Sequence, residues 1–142
     1  MEQRTRDQVT NMMFNLATQG ENRTRCTRRG VAALACPSSN DHPIVVALNT
    51  VTEVNGSDGC TGMLGDCGCE HAEAKLVVRL LNSRGPLGLW MFCSLSPCVA
   101  CAHLIARSGL FTHVYWGKSH RTVKKSTRIL RAANIIAEKW WA

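Results

Sequence analysis

Aromatic residues are scarce in this chain: four Trp, three Phe and one Tyr among 142 residues, 6% in all. That leaves few flat surfaces on which the bases of a nucleic-acid strand could stack. Long apolar runs are missing too. Nothing approaches the ~18 residues that a membrane-spanning helix needs, so no membrane contact is expected. The opening residues, Met1-Glu-Gln-Arg-Thr-Arg-Asp-Gln8, are polar and mixed in charge, without the apolar segment of a secretory signal. There is no internal repeat and no low-complexity tract. Carboxylates are outnumbered, with 10 Asp and Glu against 17 Lys and Arg, for a formal charge of +7. The length suffices for one core and not for two, so residues 1–142 are read as a single domain.

Cysteine, by contrast, is plentiful: Cys26, Cys36, Cys60, Cys67, Cys69, Cys93, Cys98 and Cys101. The count alone permits a disulfide framework. Cys36 and Cys93, however, lie in apolar strand-like runs as buried thiols would, and the closing pair has metal-ligand spacing, so a reducing cytoplasm is the expected compartment.

Hydrophobic periodicity predicts a helix over 6–19, a basic loop over 21–29, and strands over 31–36 and 44–50 joined by the turn Pro37-Ser-Ser-Asn-Asp-His-Pro43. Residues 52–70 hold five Gly and three Cys without periodicity and read as a loop. A helix follows from His71, with Ala72, Leu76, Val77, Leu80 and Leu81 on its buried face. Then come a strand over 89–95, a helix from Cys98 to about 108, a strand over 112–116, a helix over about 122–133 and a closing edge strand from Ile135. Strands alternating with helices imply a layered α/β domain with part of its sheet parallel.

Two short stretches carry the chemistry, His71-Ala72-Glu73 and Pro97-Cys98-Val99-Ala100-Cys101. One imidazole and two thiolates give three protein ligands to zinc, which leaves the fourth tetrahedral position for water and marks a catalytic rather than a closed structural site. With Pro97 at the first helical position, Cys98 and Cys101 project from one side of the first turn. The helix N-terminus favours their thiolate forms. On an ideal helix His71 and Glu73 point about 200° apart, so they can share a site only at the helix mouth. There Glu73 serves as a proton shuttle beside an acidified water, not as a ligand.

His-x-Glu followed by Pro-Cys-x-x-Cys is the signature of zinc nucleobase deaminases. From about residue 8 to residue 138 the chain resembles the cytidine deaminase superfamily, and within it the deoxycytidylate deaminases. The resemblance rests on Cys26-Thr-Arg-Arg-Gly-Val-Ala-Ala33, on His71-Ala-Glu73, and above all on Ser94-Leu-Ser-Pro-Cys-Val-Ala-Cys-Ala-His-Leu-Ile-Ala-Arg-Ser-Gly109 with Val114-Tyr115. It implies a three-layer α-β-α fold around a five-stranded mixed sheet, one catalytic Zn2+, hydrolysis of dCMP to dUMP and ammonia, and a homo-oligomer, in this family a hexamer. It further implies that Asn49 binds the sugar and that the Ala72 N–H meets the pyrimidine carbonyl. The Ser96 carbonyl would receive the amine, and Arg25, Arg28 and Arg29 would hold the 5′-phosphate. The family's Gly-Tyr-Asn-Gly is Ala47-Leu-Asn-Thr50 here. Trp116 and His120 are both candidates for covering the base.

Two basic groups, residues 23–29 and 118–131, point to phosphate or to a solvated face; the second has the spacing of a helix's polar stripe. They are the support for an alternative substrate, cytosine in single-stranded nucleic acid. A zinc-stabilised binding module without catalysis is a third reading, against which Glu73 speaks. Cys60, Cys67 and Cys69, with Cys26 or a histidine, could hold a second, structural zinc in a loop that otherwise lacks a constraint; the alternative is three separate buried thiols.

Overall fold

The computed structural model describes residues 7, 11, 15, 32–37, 45–48, 50–51, 69–83 and 87–140. The strands are β1 (Ala32–Pro37), β2 (Val45–Leu48), β3 (Thr50–Val51), β4 (Cys69–Glu70), β5 (Leu89–Leu95), β6 (Phe111–Lys118) and β7 (Ile136–Lys139). The helices are α1 (Ala72–Ser83), α2 (Val99–Ser108) and α3 (Val123–Ala132). Of the helix expected over 6–19, residues 7, 11 and 15 are described and are helical. The basic loop over 21–29 lies outside the described residues.

A mixed sheet runs in the order β2-β1-β5-β6-β7. β1 is antiparallel to both β2 and β5, while β5, β6 and β7 are parallel. Each parallel connection needs a crossover, which α2 and α3 supply. β7 closes one edge, as its place at the end of the chain order suggested. The strand expected over 44–50 is divided, with β3 leaving the main sheet to pair with β4.

Alternate residues of a strand face opposite sides, and β5 is buried on both. Leu89, Met91 and Cys93 join Ala33, Ala35, Val114, Trp116 and Ala137 under Leu76, Val77, Leu80, Ala102, Ile105 and Leu130 of the helices. On the other face Phe92 stacks on Tyr115 with ring centres 5.5 Å apart, and Trp140 meets Phe92 edge-on at 4.9 Å. Trp90 lies 4.2 Å from the His113 ring. Four of the eight aromatic residues thus sit in this one layer, which accounts for their scarcity elsewhere. Burial depresses the pKa of His113, partly offset by Glu138.

α1 buries Ala72, Glu73, Leu76, Val77 and Leu80. Leu81, expected on the same face, is instead 51% exposed. At ~100° per residue it falls about 110° from the centre of that face, which lies nearest Leu80. No helix among the described residues is long and apolar enough to cross a membrane.

The ends of α2 and α3 are fixed by left-handed residues. After α3, Asn134 takes φ 62, with the Ile135 N–H on the Leu130 carbonyl at 3.1 Å and the Asn134 N–H on the Arg131 carbonyl at 3.0 Å. This is the Schellman pattern, and its apolar contact is the buried pair Leu130 and Ile135. After α2, Gly109 takes the left-handed conformation at φ 69, and a Cβ there would meet nothing within 4 Å. The cost of Gly109→Ala is therefore that of the backbone conformation alone. It should lower the unfolding free energy by about 1–2 kcal/mol, measured by urea denaturation.

Candidate active site

Two chain segments meet at the carboxyl end of β5. The first is positioned by β3 and β4, which pair with Thr50 opposite Glu70 and Val51 opposite Cys69. Main-chain hydrogen bonds thus hold the residues directly before His71. The sequence showed no sign of this pair, because two residues are too few for a period and lie among glycines. His71 precedes α1 and caps it, its carbonyl accepting the Lys75 N–H at 3.1 Å. Its side chain is therefore free of the helical phase that separates it from Glu73.

The second segment is Ser96-Pro97-Cys98. Here the expectation needs a correction, since α2 starts at Val99 and Cys98 is its N-cap, extended at φ -70, ψ 171. Pro97 lies outside the helix. The Cys98 carbonyl accepts the Ala102 N–H at 2.8 Å. Its thiol still faces the N-terminal end of α2, and Cys101 lies within the first turn.

The His71 Nδ1 atom lies 3.6 Å from Cys98 Sγ and 3.4 Å from Cys101 Sγ. All three donor atoms fall within 4.8 Å of one another, and this is the group of metal-binding side chains found among the described residues. A tetrahedral zinc with Zn–S of about 2.3 Å and Zn–N of about 2.0–2.1 Å separates nitrogen from sulfur by about 3.6 Å. The trio fits zinc in both donor chemistry and spacing.

The hydrogen bond between the two thiols shifts them in opposite directions. Cys98 is drawn down to about 3 by the hydrogen bond with Cys101 and, against the effect of burial, by His71. Cys101 is pushed up by the same bond, by burial and by the neighbouring Glu73 carboxylate. Glu73, 4% exposed, is raised above the usual carboxylate value by burial, while its own N–H, His71 and Cys101 work in the opposite direction. A carboxyl group desolvated beside the ligands and hydrogen-bonded to Cys101 is suited to exchanging protons. Cys93, buried behind it, is held as a thiol by desolvation.

Ser96 is buried, its N–H donating to the Lys118 carbonyl at 2.8 Å and its Oγ accepting the His120 N–H at 2.6 Å. The turn after β6 is thereby tied to the segment carrying Cys98. His120 is half-buried there, its Nδ1 2.9 Å from Thr122 Oγ1. Trp116 belongs to the core under the helices, with its Nε1–H on Ser119 Oγ at 3.3 Å, while His120 is tied through Ser96 to the segment that carries Cys98. The Ser96–His120 tie was not foreseen, since nothing in its spacing distinguishes it. Ala72 is the first residue of α1, a position whose N–H has no acceptor within the helix. Asn49, Arg25, Arg28, Arg29, Cys60 and Cys67 lie outside the described residues, as does the side chain of Cys69.

The model of the cytidine and deoxycytidylate deaminase zinc-binding region matches residues 4–118. The chain belongs to this deaminase family. The deoxycytidylate deaminase of Saccharomyces cerevisiae is 26% identical over 84 residues, which cover 59% of this chain and 27% of that protein. The chain thus spans about a quarter of that relative. Among solved structures, the dCMP deaminase of cyanophage S-TIM5 in complex with dCMP and dUMP has a TM-score of 0.76 at 22% identity, covering 98% of both chains. The Aspergillus oryzae Rib2 deaminase in complex with DARIPP has a TM-score of 0.64 at 14% identity, covering 95% of this chain and 85% of that one. At these identities the likeness is one of fold, an α/β deaminase-like fold with a mixed sheet.

The zinc assignment has a direct test. After dialysis, wild type should retain one catalytic zinc per chain by elemental analysis, His71→Ala and Cys101→Ser should lose it, and Glu73→Gln should keep it. Zinc lost from Glu73→Gln would make Glu73 a ligand.

Proposed function

We propose that the protein hydrolyses dCMP to dUMP and ammonia. The observation that carries this reading is the buried Glu73 carboxyl beside the His71, Cys98 and Cys101 trio. The names of the yeast and cyanophage relatives support dCMP as the substrate. Zinc bound by the trio supplies a Lewis acid that acidifies water near neutral pH. Glu73 takes the proton from the attacking water and gives it to N3 of the pyrimidine. It then carries a second proton to the amine, which leaves C4 as ammonia while the water oxygen stays as the new carbonyl. The Ala72 N–H holds the pyrimidine carbonyl, and the Ser96 carbonyl, whose residue's N–H and hydroxyl are already engaged, receives the departing amine. Asn49 binds the sugar, and Arg25, Arg28 and Arg29 hold the 5′-phosphate.

The same reading takes the fold as three layers, α-β-α, around five strands. It takes the assembly as a homo-oligomer, a hexamer on the family pattern, in the cytoplasm. A structural zinc on Cys60, Cys67 and Cys69 remains part of the proposal; two zinc ions per chain, falling to one in Cys60→Ser/Cys67→Ser, would support it, and one throughout would end it.

Ammonia release from a panel of dCMP, CMP, dCTP, deoxycytidine, 5-methyl-dCMP and a cytosine-containing oligonucleotide tests the substrate. dCMP should give the highest kcat/KM; preference for the oligonucleotide would replace this reading by the polynucleotide one. Glu73→Gln should lose a factor of about 10² or more in kcat. Arg25→Ala, Arg28→Ala or Arg29→Ala should weaken dCMP by about 1.5–3 kcal/mol, seen in KM, and leave deoxycytidine turnover nearly unchanged. Normal KM in all three would move the phosphate site to Lys118 or Arg121.

A further inference from the structure

Between Ala74 and Ala137 the chain carries ten Lys and Arg and not one Asp or Glu. Helices α2 and α3 consequently contain no carboxylate that could balance their cations. The excess is concentrated on α3, where Lys124, Lys125, Arg128 and Arg131 are all exposed while Ser126 and Leu130 are buried. At ~100° per residue the four cations fall within an arc of about 120°. Exposed Arg121 and Lys118 stand just before the helix. Cations three and four residues apart repel and cost the helix a few tenths of a kcal/mol per pair. Carboxylates at some of these positions would turn that repulsion into attraction. The row of like charge works against the helix unless an anion of similar extent lies along it.

We propose that the outer face of α3 binds the phosphodiester backbone of a nucleic-acid strand, away from the His71–Cys98–Cys101 site. A linear array over a helix about 15 Å long matches a repeating anion better than a compact one. The only exposed residue of α3 that is not a cation is Ala132. The face therefore has no apolar wedge for an anionic membrane and no apolar anchor for an acidic protein partner. It also has no aromatic residue on which bases could stack, so the contact is with phosphate and carries no sequence preference. This inference does not depend on dCMP being the substrate.

Fluorescence anisotropy of the full chain with a labelled oligothymidylate of about 20 nucleotides, between about 50 and 200 mM salt, tests it. Binding should weaken with salt along a log–log line. In Lys124→Gln/Lys125→Gln/Arg128→Gln the slope should shrink by about 2, at about 0.7 per lost phosphate contact, which amounts to roughly a hundredfold in affinity near 0.1 M salt. Turnover of dCMP should be unchanged in the same variant, and excess dCMP should not displace the oligonucleotide. Any one of four results overturns the proposal: no binding at low salt, an unchanged slope in the triple variant, displacement by dCMP, or tighter binding to phosphatidylserine vesicles or polyglutamate than to the oligonucleotide.

Discussion

Three metal donors have to reach one point from two places in the chain, since His71 precedes the two thiols by 27 and 30 residues. The sheet provides for this by bringing the beginnings of α1 and α2 together at the carboxyl end of β5. A helix start leaves N–H groups without intrahelical partners and carries partial positive charge. Thiolates and carboxylates are tolerated there when they would be costly elsewhere. The positions of β1, β5 and the two helices can be understood as what this meeting of helix ends requires.

Glu73 shows the other side of that requirement. A carboxylate almost fully removed from water is unfavourable unless nearby charge or hydrogen bonds compensate. His71 and Cys101 act in that direction, and a cation bound by the trio would add to them. The group lies on the buried face of α1, where an apolar residue would have stabilised the core. The sequence pattern concealed this. Periodicity filled the face with Leu81, and only the chemistry of His-x-Glu suggested that residue 73 mattered.

Much of the site could be read because its spacing is local. His71 with Glu73, and Cys98 with Cys101, are within one helical turn of each other, and each type of side chain narrows the chemistry. The parallel strands were visible as short apolar runs, and their crossover helices as periodic stretches ending near residues 108 and 133. The features that escaped depend on contacts between distant segments. Neither the β3–β4 pairing nor the hold of Ser96 on His120 leaves any periodic trace. The start of α2 was misplaced by two residues, because Pro97 is compatible both with the first helical position and with the extended stretch just before it. Element order and ligands were therefore legible, while the contacts that aim them were not.

The distribution of the ligands also bears on unfolding. Zinc held by His71 and Cys98 ties α1 to the start of α2, closing a loop of about 27 residues as a disulfide would. In chain-entropy terms a crosslink of that span removes about 3–4 kcal/mol of freedom from the unfolded chain. The ion is then a staple across the order β4-α1-β5-α2 as well as a reagent. Removal of such an ion by a chelator is then expected to lower the melting temperature.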